Sequence, residues 1–150
     1  MPYQIIYSSS STTPMQMDDL EDILESARES NAEAGISGAL VYVDGHFLQI
    51  LEGEAEALAH LMGRIARDVR HEAVTVLRQT EVPAAMFSDW SMAYVSATAE
   101  QVAEWAGLSG ATTAADTLAD IHGNAVKVTR MAEQILRVLA LEPGAPPGAE

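Results

Sequence analysis

The pattern of apolar and polar residues near the start of the chain predicts a strand followed by a helix. Residues 2–7 form a β-branched and aromatic run that ends at a loop of serine and threonine, as expected for a strand. Farther along, apolar residues recur three and four positions apart among acidic ones, which predicts an amphipathic helix. These apolar positions are Leu20, Ile23, Leu24 and Ala27.

A hairpin and a second helix come next. Residues 39–43 and 47–51 read as two strands, and Asp44-Gly45 between them is typical of a type I′ turn, because both residues tolerate positive φ. Ala55 to Ile65 then carries the apolar stripe of a helix, which we expect to end near Arg67.

Two more strands complete the pattern, over residues 73–79 and 87–95. The predicted order β-α-β-β-α-β-β is that of an α+β, ferredoxin-like sheet with one additional strand and both helices on one face.

The chain after residue 95 is rich in Ala and Thr and predicts helices only. Its clearest apolar stripe is Val128, Met131, Ile135 and Val138. We therefore divide the chain into a core over residues 1–95, a helical extension over 96–141 and a flexible tail rich in Pro and Gly over 142–150. A sheet with helices on one face leaves the other face bare, so we expect the extension to dock there and to mediate a homodimer or higher homo-oligomer.

Composition narrows the function classes. With 150 residues the chain makes one ordinary domain, and its net charge of −14 disfavours nucleic acid and anionic membranes as partners. The absence of cysteine excludes disulfides, Fe–S clusters and thiol nucleophiles. No apolar run is long enough for a membrane helix and no signal region is visible, so we expect a cytoplasmic location.

The usual catalytic and metal-binding patterns are weak. His46, His60, His71 and His122 lack the spacing of a metal-binding pair, and no phosphate-binding loop or nucleophile elbow is present. Three polar residues nevertheless fall where the fold should be covered: Tyr7, Asn31 and Gln49. Taken singly, each is explained more simply by hydrogen bonds within the core or by a solvent-facing position.

These three residues lie within longer sequence blocks that span roughly residues 2–95. The blocks are Tyr3-Gln4-Ile5-Ile6-Tyr7-Ser8-Ser9, Asp19-Leu20-Glu21-Asp22-Ile23-Leu24, Asn31-Ala32, Gly35-Ile36-Ser37-Gly38-Ala39-Leu40, Phe47-Leu48-Gln49-Ile50-Leu51-Glu52-Gly53, Arg64-Ile65-Ala66-Arg67-Asp68, Arg70-His71 and Phe87-Ser88-Asp89-Trp90-Ser91-Met92. Taken together and in this order, they resemble the BLUF family of blue-light sensors.

The resemblance implies a noncovalent flavin, most often FAD, with FMN or riboflavin as alternatives. It places Tyr7 and Gln49 beside the flavin ring and Asn31 at its carbonyl edge. The residues expected near the ring edge and the phosphate side are Arg64, Asp68, Arg70 and His71. The expected apolar walls are Ile23, Ile36, Leu40 and Ile65.

The resemblance also implies a light-driven switch rather than turnover of a substrate. Transient electron and proton transfer from Tyr7 rearranges the hydrogen bonds of Gln49 and shifts the flavin absorption to the red. Output is implied to pass through Trp90 and Met92 in the last strand, which alternation would place on one side, and through the helices beyond to an unidentified protein effector. Both residues are equally well explained as fixed core residues.

Two other classes of function remain open. One is a small enzyme on the same fold, such as a flavin redox protein, although no persuasive nucleophile or base is visible. The other is an interaction domain that has lost its cofactor, against which the complete set Tyr7, Asn31 and Gln49 argues.

Overall fold

The structure is a computed structural model that describes residues 2–108 and 113–141. The strands are β1 (Tyr3–Ser11), β2 (Ser37–Val43), β3 (His46–Gly53), β4 (His71–Glu81) and β5 (Ala93–Ser96). The helices are α1 (Met17–Ala34), α2 (Ala55–Ala66), α3 (Ala99–Trp105), α4 (Ala114–Ile121) and α5 (Ala125–Leu141). The tail predicted over residues 142–150 lies outside the described residues.

The five strands form one sheet in the order β4-β1-β3-β2-β5. β1 is antiparallel to both β3 and β4, and β2 is antiparallel to β3 but parallel to β5. This confirms the predicted α+β, ferredoxin-like sheet with an additional strand. The register sets Tyr7 of β1 directly opposite Gln49 of β3.

Helices cover both faces of the sheet, because β1, β2 and β3 carry buried apolar residues on both sides. One core lies under α1 and α2 and includes Leu24 and Leu58. The other lies under α3, α4 and α5 and includes Trp105, Met131 and Ile135. Docking of the extension on the second face is thus confirmed, whereas the domain boundary at residue 95 stays a prediction.

Two features of the backbone allow β2 and β3 to pair as a hairpin. Asp44 and Gly45 have φ angles of 48° and 77°, as the predicted hairpin turn requires. A Cβ atom on Gly38 would lie 1.9 Å from the carbonyl oxygen of Ile50, so β2 and β3 can approach each other only because residue 38 has no side chain.

The prediction for the fifth strand was wrong in its extent. β5 begins at Ala93, and residues 82–92, here called the β4–β5 connection, form turns and bends. The carbonyl groups of Ser91 and Met92 accept hydrogen bonds from side chains of α1. These contacts replace the strand ladder before Ala93.

The shortened strand also changes the placement of two predicted signalling residues. Trp90 packs in the core under α3, α4 and α5, whereas Met92 packs in the core under α1 and α2. The expectation that they share one side of a strand was therefore wrong, since strict alternation does not hold in a segment without strand geometry.

Candidate functional site

A cleft of about 200 Å³ lies over the sheet between α1 and α2. The strands supply Tyr7, Leu40, Phe47 and Gln49 to it. The helix α1 contributes one face, on which residues recur at helical spacing: Ile23, Ser26, Ala27, Ser30 and Asn31. The opposite wall and rim are formed by α2 and the chain after it, with Leu61, Arg64, Ile65, Asp68, Arg70 and His71.

A chain of side-chain contacts crosses the floor of the cleft. The Tyr7 hydroxyl donates a hydrogen bond to Oε1 of Gln49. The Nε2 group of Gln49 lies 3.4 Å from Sδ of Met92, close enough for a weak hydrogen bond to sulfur. One amide therefore joins a phenol of β1 to the segment that leads into β5.

Burial controls the protonation state of Tyr7. The side chain is 3% exposed, and removal from water raises the pKa of the phenol well above its usual value of 10. The negative charge of Asp68 raises this pKa further. Tyr7 therefore remains a neutral hydrogen-bond donor throughout the physiological pH range.

His71 is fixed at the end of the cleft by contacts on both ring nitrogens. Its Nε2 lies 2.6 Å from the carbonyl oxygen of Ile65 and must donate there, while Nδ1 lies 2.8 Å from the Ser9 hydroxyl. The ring meets Tyr7 edge-on, with centroids 6.4 Å apart, and Phe47 at 6.0 Å. His71 is thus held against Tyr7 and Phe47, two aromatic rings that line the cleft.

Asp68 and Arg70 form a paired charge at the rim. Two guanidinium nitrogens of Arg70 contact the carboxylate of Asp68, the closer at 2.5 Å, and the Arg70 backbone N–H donates to it at 2.9 Å. The hydrogen bond from Arg70 is the main reason that the pKa of Asp68 lies below its usual value. Because Asp68 offsets the charge of Arg70, the positive charge of this rim comes from the exposed Arg64.

Asn31 and Arg28 connect α1 to the β4–β5 connection. Nδ2 of Asn31 donates to the carbonyl oxygen of Ser91 at 2.9 Å, and Nε of Arg28 donates to that of Met92 at the same distance. Asn31 is buried and lines the cleft as well. Asn31 therefore lines the cleft and also contacts the segment before β5.

The structure brings together all of the predicted cofactor-binding residues except one. Ile36 is buried in the core under α1 and α2 but lines a second cleft near the start of β2. Sequence reasoning missed Ser26, Ala27 and Ser30, although their spacing from Ile23 and Asn31 on one helical face was a readable signal. It also missed Arg28, whose contact across 64 residues leaves no local signal.

Residues 2–108 and 113–141 contain neither a cluster of metal-binding side chains nor a helix that could cross a membrane. No three His, Asp or Glu side chains there lie close enough together to hold a metal ion. None of the helices in this part of the chain combines the length and apolar character required to cross a membrane.

Comparison with known proteins identifies the family. The family model BLUF, described as sensors of blue light using FAD, matches residues 3–93. The chain belongs to the BLUF family. The matched residues carry β1 to β4, α1, α2 and the cleft, and the match ends at the first residue of β5.

Relatives place this BLUF domain in different protein contexts. The photoactivated adenylate cyclase subunit beta-like protein FB of Euglena gracilis is 37% identical over 100 residues, which make up 66% of this chain but only 11% of that protein. The solved structure of the BlsA photo-activated state is 29% identical, with a TM-score of 0.77, and covers 91% of this chain and 95% of the other. The dark-state structure of BlrB, a BLUF protein, is 25% identical, with a TM-score of 0.74 over 92% and 97% of the two chains.

The residues of the cleft fit a flavin. Aliphatic side chains on two sides, Ile23 and Ile65, suit the faces of a flat ring, and buried amides suit its polar edge. The exposed arginines at the rim suit the phosphate groups of FMN or FAD.

Proposed function

We propose that this chain is a blue-light receptor that binds a flavin, most often FAD, in the cleft between α1 and α2. The buried contact of the Tyr7 hydroxyl with Gln49 carries the proposal. It places an oxidisable phenol on the floor of the cleft, next to an amide that can both donate and accept hydrogen bonds. Membership of a family described as sensors of blue light using FAD supports the same conclusion.

The chain's own residues would hold the ring in three ways. Ile23, Leu40 and Ile65 would pack on it, while Asn31 and Gln49 would present amide groups to its polar atoms. The phosphate side would extend toward Arg64, Arg70 and His71 at the rim.

A bound flavin supplies strong absorption of blue light and an excited state that attracts an electron. Tyr7 is the donor that we propose, and its hydroxyl proton already has an acceptor at Oε1 of Gln49. Rotation or tautomerisation of the Gln49 amide would then exchange the donor and acceptor ends that face Tyr7 and Met92. The transfer from Tyr7 is transient: its electron and proton return to it while the Gln49 hydrogen bonds stay rearranged, so no substrate is consumed.

The output that we propose is a change in contacts between proteins. Gln49 contacts Met92, and the chain continues from Met92 into β5 and then into α3. The relatives named as photoactivated adenylate cyclases join a matching domain to further sequence, which supports a sensor that acts on an effector. No catalytic role of this chain is proposed.

The remaining expectations concern surroundings and assembly. A cytoplasmic location and the lack of nucleic-acid or membrane partners stay predictions from composition and charge. A homodimer or higher homo-oligomer also stays a prediction. The bare sheet face from which it was inferred is covered by α3, α4 and α5 within one chain, so that argument for it is weaker.

Absorption spectroscopy of the purified chain tests the proposal. The protein should be yellow with bound flavin, and blue light should shift its absorption to the red reversibly in the dark. Chromatography of the released cofactor then distinguishes FAD from FMN and riboflavin. A colourless protein that takes up none of these flavins, or one that light does not change, would contradict the proposal.

A further inference from the structure

Glu52, near the end of β3, is a fully buried carboxylate that the light reaction proposed above does not use. Its exposure is 0%. Leu48 and Ile50 lie in the core under α3, α4 and α5, so the alternation of β3 sets Glu52 on that face and Gln49 on the other. A carboxylate is tolerated in such a place only when hydrogen-bond donors surround it.

Three donors meet the Glu52 carboxylate. Nε2 of Gln4, which is also buried, lies 2.9 Å from Oε2. The backbone N–H of Met86 donates to the same oxygen at 3.0 Å, and that of Phe87 donates to Oε1 at 2.7 Å. Both oxygens are therefore used, and two of the three donors belong to the β4–β5 connection.

Hydrogen bonds continue from this anchor toward the cleft. The Phe87 carbonyl accepts from the Trp90 N–H at 3.0 Å, and the Trp90 carbonyl accepts from the Gly38 N–H at 3.1 Å. Two residues later the sulfur of Met92 faces Nε2 of Gln49. The connection is thus held at its middle, at Met86 and Phe87, by a side chain of the strand that also carries Gln49.

We propose that Glu52 is a positioning residue that sets the placement of Met92 against Gln49 through the β4–β5 connection. The inference rests on the proposed light reaction, in which this contact changes. Loss of the anchor frees the backbone of Met86 and Phe87, loosens the turn to Trp90 and lowers the barrier to repacking of Met92.

The dark recovery rate of the light-induced state tests the proposal in the full chain. In Glu52→Gln the side chain keeps its size but presents an NH₂ group to one of the donors, so a hydrogen bond is lost. We expect roughly threefold faster recovery or more in this variant, and less than about a twofold effect of the same substitution in a Met92→Leu background. A smaller effect in the first case, slower recovery, or an equal effect in both backgrounds would overturn the proposal.

Glu54→Gln is the matched control, because Glu54 is an exposed carboxylate two residues farther along. Its recovery should stay within about twofold of the parent rate, and a larger change would overturn the proposal by showing a general effect of charge. If Glu52→Gln does not fold, Gln4→Leu removes one donor and leaves both backbone donors in place. Recovery should then be roughly twofold faster, and an unchanged rate would overturn the proposal.

Amide hydrogen exchange in the dark separates this inference from the proposed function. Glu52→Gln should speed exchange at the Trp90 N–H by about tenfold. This N–H donates to the carbonyl of Phe87, and the Phe87 N–H in turn donates to Glu52. Unchanged exchange at Trp90 would overturn the positioning role. A parent protein that lacks any light response would contradict the proposed function alone, and the exchange result would still decide what Glu52 does.

Discussion

Nε2 of Gln49 lies 3.4 Å from Sδ of Met92 on one face of the sheet, while Trp90, two residues before Met92, is buried on the other face. The segment between them therefore crosses from one core to the other. We expect a change in the Gln49 amide to act first on Met92 and to reach Trp90 only through the backbone.

Removal of the Tyr7 hydroxyl should abolish the light response but leave the fold and the flavin in place. Tyr7→Phe keeps the packed ring and deletes the donor to Gln49. We expect flavin absorption in the dark without a red shift after blue light. Tyr3→Phe, the same change in the same strand, is the control and should respond as the parent does; a normal red shift in Tyr7→Phe would exclude the proposed role.

Replacement of Asn31 should weaken flavin retention. Asn31→Ala removes an amide from the cleft wall, a loss on the order of 1–2 kcal/mol for a buried hydrogen bond. This corresponds to about tenfold in affinity, measured as flavin released on dilution. Glu33→Ala, an exposed change on the same helix, should retain flavin normally. Equal retention in both variants would limit Asn31 to its contact with Ser91.

Loss of the Arg28 side chain should loosen the segment before β5. Arg28→Ala deletes the hydrogen bond to the Met92 carbonyl, and because the residue is partly exposed we expect about 1 kcal/mol less stability to denaturant. Dark recovery should also change in rate. The neighbouring exposed residue provides the control variant Glu29→Ala, for which both quantities should stay at parent values.

The positive φ of Ala73 predicts a stabilising substitution. Ala73 has φ 54° within β4, where an L side chain is strained and glycine is not. Ala73→Gly should raise the free energy of unfolding by about 0.5–1 kcal/mol after the greater freedom of the unfolded chain is allowed for. Gly35→Ala, at φ 70° with open space around it, should have the opposite effect, and a urea titration compares the two.

Because burial raises the pKa of Tyr7, the stability of the folded protein should fall at alkaline pH. A buried phenol whose pKa in the folded state exceeds that in the unfolded chain stabilises the fold fully below pH 10. This contribution falls as the pH rises above 10 toward the folded pKa. We therefore expect the red shift to persist up to about pH 10 and stability to fall above it, with Tyr7→Phe falling less steeply in the same titration.

The sequence by itself determined the elements whose signals are local. The β-branched and aromatic run that begins β1, the helical spacing in α1 and the Asp44-Gly45 turn each depend on neighbouring residues, so they can be predicted along the chain. The serines predicted as a loop after residue 7 were a wrong prediction, because β1 continues to Ser11. The order of elements along the chain predicted the ferredoxin-like class, whereas the strand order β4-β1-β3-β2-β5 came from the structure. The pairing of Tyr7 with Gln49 came from the family resemblance and from nothing in the spacing.

Only the tertiary structure decided which contacts hold the β4–β5 connection. Glu52 reads as one more carboxylate in an acidic chain, and its burial depends on donors 34 and 35 residues away. Trp90 and Met92 read as strand neighbours, but side chains of α1 hold the carbonyls of Ser91 and Met92 and end the ladder. Hydrogen bonds between distant residues override local alternation here, because a buried polar group must find its partner wherever the fold brings one.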